Sequence, residues 1–128
     1  MQAEEVLRML EGRVESLTAK YDKLRLECDG LTRVLNYVLM DNKIKHTVYT
    51  GHVDYKGGKN HIPMHFWIEL GDGRVVDYRL RMWLGKKRDV PHGVFKPSDY
   101  PDVQYKNKKK IPMATDRKMF DLLFITGA

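Results

Sequence analysis

Residues 64–82 read MHFWIELGDGRVVDYRLRM. Two alternating segments, 64–70 and 74–82, flank Gly71-Asp72-Gly73. A three-residue, glycine-containing loop between such segments is a hairpin signal. With Leu70 facing Arg74, Met64, Phe66, Ile68 and Leu70 share a face with Val76, Tyr78, Leu80 and Met82. That face is apolar throughout, and a slip of one residue would scramble it. The opposite face carries His65, Trp67 and Glu69 beside Val75, Asp77, Arg79 and Arg81. His65 then lies opposite Arg79, with Asp77 as its diagonal neighbour. Diagonal positions stand roughly 7–8 Å apart, which an imidazole and a carboxylate can bridge.

N-terminal to the hairpin, residues 2–40 are helical in pattern. Leu7, Val14, Tyr21, Cys28 and Leu35 recur every seven residues, as do Leu10, Leu17, Leu24, Leu31 and Val38. This fits a coiled-coil template. Gly12 and Gly30 weaken a helix, and Asp29-Gly30 is turn-prone. Two readings stay open: one long helix, or two helices broken just before Cys28. Asp41-Asn42 reads as a stop. Residues 45–53 are expected to form a strand and 55–61 a turn-rich loop. Residues 85–112, with Pro91, Pro97, Pro101 and Pro112, read as a loop, and 116–125 as a short closing helix or strand.

The expected fold class is α+β, with N-terminal helices packed on a small antiparallel sheet. The 128 residues make one domain. It divides into an N-terminal helix (1–27), a core (28–84), and a basic loop region with a closing element (85–128). One cysteine excludes a disulfide-stapled scaffold and a Cys-rich zinc site. The histidines fit no metal-ligand spacing, and no cofactor is implied. No apolar run approaches the roughly 18 residues of a membrane span, so no membrane partner is expected. The N-terminus does not read as a signal peptide, and a reducing, cytoplasmic setting is the expectation.

Lys and Arg total 23 against 17 Asp and Glu, a net charge of +6. Residues 86–118 hold ten basic and four acidic side chains, whereas residues 1–45 are balanced. A basic segment can attract nucleic acid or an acidic protein, and it can equally be a solvated surface. The KNKKK run at 106–110 has one flanking aromatic, Tyr105, rather than an interleaved set, so nucleic acid is not the favoured partner.

A His–Asp pair becomes chemically useful when a nucleophile comes near. The carboxylate holds one imidazole tautomer, and the imidazole takes the proton from a thiol. Cys28, where a helix can begin, is the candidate, because helix N-termini and imidazolium both favour thiolate. Each residue also has a plain reading. Cys28 can be a core thiol on a heptad seam, His65 and Asp77 members of a polar sheet face, and Trp67 ordinary packing.

In order and spacing, these residues resemble the transglutaminase-like branch of the papain-like cysteine enzymes. The likeness runs over residues 28–80. Cys28 stands at a helix start, with Leu31, Leu35 and Leu39 along the helix and Asn42-Lys43-Ile44 at its end. Gly51 closes the next strand, His65-Phe66-Trp67-Ile68-Glu69 matches the His strand, and Asp77 follows in Arg74-Val75-Val76-Asp77. The sequence departs from the family in flanking Cys28 with Glu27 and Asp29, in Asn42 at the turn glycine, and in Tyr78 after the aspartate.

The resemblance implies a papain/transglutaminase-like core and a Cys28–His65–Asp77 triad, with Trp67 walling the substrate site. It implies a cysteine-dependent amide hydrolase or acyltransferase that acts on a protein or peptide through a thioester. The alternative is a non-enzymatic coiled-coil interaction protein with a basic docking segment. A third possibility is a nucleic-acid-binding module.

Overall fold

The computed structural model describes residues 2–56 and 60–128. Helix α1 spans Ala3–Thr18 and runs into a 3-10 turn, Ala19–Tyr21; helix α2 spans Cys28–Asp41. Strands β1 (His46–Tyr55), β2 (His61–Leu70) and β3 (Val75–Asp77) follow, then the short helix α3 (Arg81–Leu84). Strand β4 (Gly93–Phe95), strand β5 (Val103–Lys110) and helix α4 (Arg117–Gly127) complete the chain. The sheet is antiparallel, in the order β4-β3-β2-β1-β5. The fold is α+β.

The hairpin forms in the expected register. Ile68 pairs with Val76 and Glu69 with Val75, and the Leu70 N–H donates to the Arg74 carbonyl at 2.8 Å. Its second strand is shorter than expected, ending at Asp77 rather than continuing to 82. The chain turns there so that Leu80 joins the opposite apolar cluster from Tyr78.

Both faces of the sheet are buried. On one face Ile68, Leu70, Val76 and Tyr78 pack with Val14, Leu31, Leu35 and Leu39 of the helices. On the other, Trp67, Val75 and Leu80 pack with Val53, Val90, Phe95 and Val103. Residues 65–77 therefore do not present the polar outer face that alternation suggested.

The heptad pattern does not produce one long helix. Residues 22–27 break it, and the seam residues Val14, Leu24, Leu31, Leu35 and Val38 are buried in this chain's own core. Each such side chain contributes about 1.5–3 kcal/mol by leaving water. Helix α1 ends where Thr18 turns inward. Its hydroxyl donates to the Val14 carbonyl at 2.8 Å and accepts from the Tyr78 hydroxyl at 2.9 Å. Helix α2 ends in a Schellman motif: Ile44 N–H donates to the Leu39 carbonyl and Lys43 N–H to that of Met40. The left-handed position there is Lys43, at φ 57°, not Asn42.

The region expected to be a basic loop, 85–112, contains strands β4 and β5, and the closing element expected over 116–125 is helix α4. Strand β5 pairs along β1 at the sheet edge, with Tyr105 opposite Val53. Lysines on an edge strand disfavour further pairing by other chains. Lys106 pairs with Asp54 at 3.0 Å and Lys108 with Glu69 at 3.1 Å. Of the expected 55–61 loop, Gly57–Lys59 lie outside the described residues.

Gly51, expected to close its strand, lies within β1, paired with His65. Pairing shifts on both of its sides, to β2 and to β5, fall at this point. A Cβ here would stand 2.5 Å from the Lys106 carbonyl oxygen and 2.9 Å from the Trp67 ring. Only glycine allows three strands and the indole to approach this closely.

Candidate active site

Strand β2 carries His65, which has no exposed surface. Its Nε2–H donates to the Asp77 Oδ2 at 2.7 Å. Asp77, the last residue of β3, is 4% exposed. The same Oδ2 accepts the Tyr105 hydroxyl at 2.7 Å, and Oδ1 accepts the Arg79 backbone N–H at 3.0 Å. Three donors thus converge on one carboxylate, as a buried anion requires. Burial, then the Asp77 charge and hydrogen bond, push the Tyr105 phenol well above its ordinary 10, so it remains a donor.

Burial by itself pulls the His65 pKa down. The Asp77 carboxylate, and after it Cys28, act the other way and win, raising the ring from 6.5 to about 10. At neutral pH the ring is therefore an imidazolium. Its second nitrogen, Nδ1, is buried and completes no hydrogen bond among the described residues. Cys28 is the further side chain that raises the ring's proton affinity. The carboxylate thus engages the ring through Nε2, while Nδ1 is left without a hydrogen bond among the described residues, to the Cys28 sulfur included.

Cys28 is half-buried at the first position of α2. Glu27 precedes it in extended conformation and makes no side-chain cap. Leu31 N–H closes the first helical turn onto the Glu27 carbonyl. The N–H groups ahead of Leu31 therefore have no partner within the helix. Cys28 lines a cavity of about 10 Å³ with Phe66, Asp77, Tyr78 and Arg79, room for about one water.

Arg79 holds the helix start in place. It is 6% exposed, and its guanidinium donates to the carbonyls of Asp22, Leu24 and Leu26 at 3.0, 2.8 and 2.6 Å. It also pairs with the Asp22 carboxylate at 2.6 Å. These bonds keep residues 22–26 out of the helix, so that α2 begins at Cys28. From the other side Arg25 N–H donates to the Gly127 carbonyl at 2.7 Å, tying the same segment to α4.

Trp67, expected to wall the substrate site, has no exposed surface. Its ring belongs to the core with Val53, Val75, Leu80 and Phe95. It stacks behind His65, with centroids 6.2 Å apart and planes 19° apart, and packs on Tyr105 at 4.5 Å. Its indole N–H donates to Glu69 at 3.1 Å. Trp67 supports the imidazole from within the core.

Arg79 and Tyr105 escaped the sequence reading in these roles. Tyr105 had a signal: Val103 and Tyr105 alternate with Gln104 and Lys106, a strand period overshadowed by the prolines and lysines around it. Arg79 had none, because its partners lie more than fifty residues away.

A groove of about 810 Å³ opens beside this cluster. Glu27, adjacent to the sulfur-bearing residue, forms part of its lining. Tyr78 and Arg79 line both the groove and the small cavity at Cys28. Among the described residues no three His, Cys, Asp or Glu side chains converge as a metal site would, and no helix is long and apolar enough to cross a membrane. No protein-family model, curated protein or solved structure matches the chain.

Proposed function

We propose that this protein is a cysteine-dependent amide hydrolase or acyltransferase with Cys28 as nucleophile, His65 as acid and base, and Asp77 as the group that orients and charges His65. The observation that carries this reading is the single buried imidazole, bonded to Asp77 at 2.7 Å through Nε2, with its buried Nδ1 left without a partner among the described residues. The helix start at Cys28 and the transglutaminase-like order of the residues support it. A reducing cytoplasmic setting, where a lone thiol stays reduced, suits this chemistry.

The proposed cycle balances within these groups. With His65 holding the thiol proton, the sulfur anion is stabilised by the imidazolium and by the free N–H groups at the α2 start. The thiolate attacks a carbonyl carbon and a C–S bond forms. The backbone N–H of Cys28 donates to the developing oxyanion. The C–N bond then breaks, and His65 gives its proton to the departing amine, leaving a thioester. His65 next takes a proton from the incoming acceptor, water for hydrolysis or an amine for acyl transfer. The acceptor attacks the thioester, and the proton passes from His65 to the departing sulfur.

Iodoacetamide labelling followed by intact mass tests this at about pH 6 and about pH 8. A Cys28 activated by His65 labels readily at both, and His65→Gln slows the acidic labelling by roughly tenfold or more. Labelling that appears only at the higher pH, unchanged in His65→Gln, overturns the reading. Circular dichroism confirms that the variant is folded before its rates are compared.

A further inference from the structure

The geometry points to a peptide segment bearing acidic side chains as the substrate class received by the groove beside Cys28, an inference that rests on the thiol-enzyme reading. Leu26 and Met82 contribute apolar surface to this groove, with the nearly buried Leu24 and Tyr78 beside them in its lining. Arg25, Arg81 and Lys86 add three cations. Arg81 commits only its Nε, to the Val90 carbonyl at 3.0 Å. Among the described residues none of the three has a carboxylate within ion-pair distance.

The groove's acidic residues do not cancel this charge. Asp22 is occupied by Arg79 at 2.6 Å and by His92 at 2.7 Å. Glu27 remains, one carboxylate against three cations, next to the nucleophile. Elsewhere the basic edge strand is partly neutralised, since Lys106 and Lys108 pair with Asp54 and Glu69. Unmatched positive charge in a concave site with apolar walls attracts anions and raises their local concentration.

The chemistry of the neighbouring sulfur selects among anions. A thiolate needs an acyl carbon, which a peptide supplies and a nucleic acid does not. The apolar lining fits side chains between acidic positions. Tyr78, the groove's one aromatic residue apart from His92, is 6% exposed and offers no open face for a base to stack upon.

The test uses the whole protein and short peptides that carry a chloroacetamide electrophile, matched except for Glu or Gln at the flanking positions. The Glu probe is expected to label Cys28 about tenfold faster than the Gln probe at low salt. About 0.5 M NaCl should remove most of the difference, because screening acts on exposed charges. Arg25→Gln with Lys86→Gln should shrink it as well; neither side chain makes a hydrogen bond among the described residues, so the double variant should fold.

Equal rates for the two probes, in protein whose Cys28 reacts readily with iodoacetamide, overturn the substrate class and leave the thiol reading standing. Binding of a fluorescent Glu peptide that Arg25→Gln with Lys86→Gln weakens, in protein whose Cys28 ignores iodoacetamide, sustains the groove and sinks the thiol reading. An oligonucleotide that displaces the Glu peptide at lower concentration than the unlabelled peptide does also overturns the proposal.

Discussion

The Tyr105 hydroxyl, on edge strand β5, donates a 2.7 Å hydrogen bond to the very Asp77 oxygen that receives His65. The carboxylate is thereby fixed from two directions, and the imidazole with it. In Tyr105→Phe the ring still packs against Trp67, but Asp77 loses a donor it cannot recover from water. The expected cost is about 1–3 kcal/mol in denaturant melts. Labelling of Cys28 at mildly acidic pH should slow as well. A variant as stable and as reactive as the parent would mean that the hydroxyl is dispensable to Asp77.

His65 makes the stability of the protein depend on pH in a defined direction. Its folded pKa, about 10, lies above the 6.5 of a free imidazole. Such a group contributes stability that is fully present below pH 6.5 and is lost as pH rises toward 10. Between those limits the folded state holds a proton that the unfolded state has released. The unfolding free energy should therefore fall by up to about 1.4 kcal/mol per pH unit from this group. Denaturant melts across neutral to mildly alkaline pH measure it, and NMR of the His65 ring assigns it. A ring that titrates near 6.5 would remove the effect.

Asp77→Asn tests the same pair from its other side. Without the carboxylate charge the ring loses the largest influence that raises it, and burial pulls its pKa down. Turnover of any amide or ester substrate should drop by roughly 10²–10⁴-fold, and the acidic limb of the pH–rate profile should move. An unaltered profile would show that Asp77 does not set the charge of His65.

Gly51→Ala should be damaging despite adding one methyl group. The new Cβ would meet the Lys106 backbone oxygen at 2.5 Å and the Trp67 ring at 2.9 Å, and backbone cannot swing aside as a side-chain tip can. Overpacking of this kind costs about 1–3 kcal/mol. Because Trp67 backs His65, Cys28 labelling should slow in the same variant. A melt unchanged from the parent would mean that the strands part easily here.

Arg79→Gln should loosen the segment ahead of Cys28. The variant loses most donors to the Asp22, Leu24 and Leu26 carbonyls and leaves the Asp22 carboxylate with His92 alone. Breaking a buried charge pair costs about 3–5 kcal/mol; the partial exposure of Asp22 brings the expectation to the lower end. Amide hydrogen exchange should rise first at residues 23–28. Unchanged protection there would show that the α4 contact through Gly127 suffices.

Some of this structure was legible in the chain. The hairpin register followed from a period of two around Gly71-Asp72-Gly73, and with it the meeting of His65 and Asp77, since cross-strand geometry is local. Strand β3 stopped early for a reason the pattern conceals: Leu80 finds its partners on the other face. The heptad from Leu7 to Val38 was real as a pattern of apolar positions. It was misleading as one helix, because the same spacing serves two helices folded onto a sheet.

By itself, the sequence determined the α+β class, the hairpin and the pairing of imidazole with carboxylate, all set by periodicities that act over a few residues. Only the tertiary structure decided that α2 begins at Cys28, that Tyr105 braces Asp77 and that Trp67 is buried behind the histidine. The reason is physical. Arg79 with Leu26, Gly127 with Arg25, and Tyr105 with Asp77 join positions far apart along the chain. Such contacts form only once the apolar faces of helices and sheet have closed on one another.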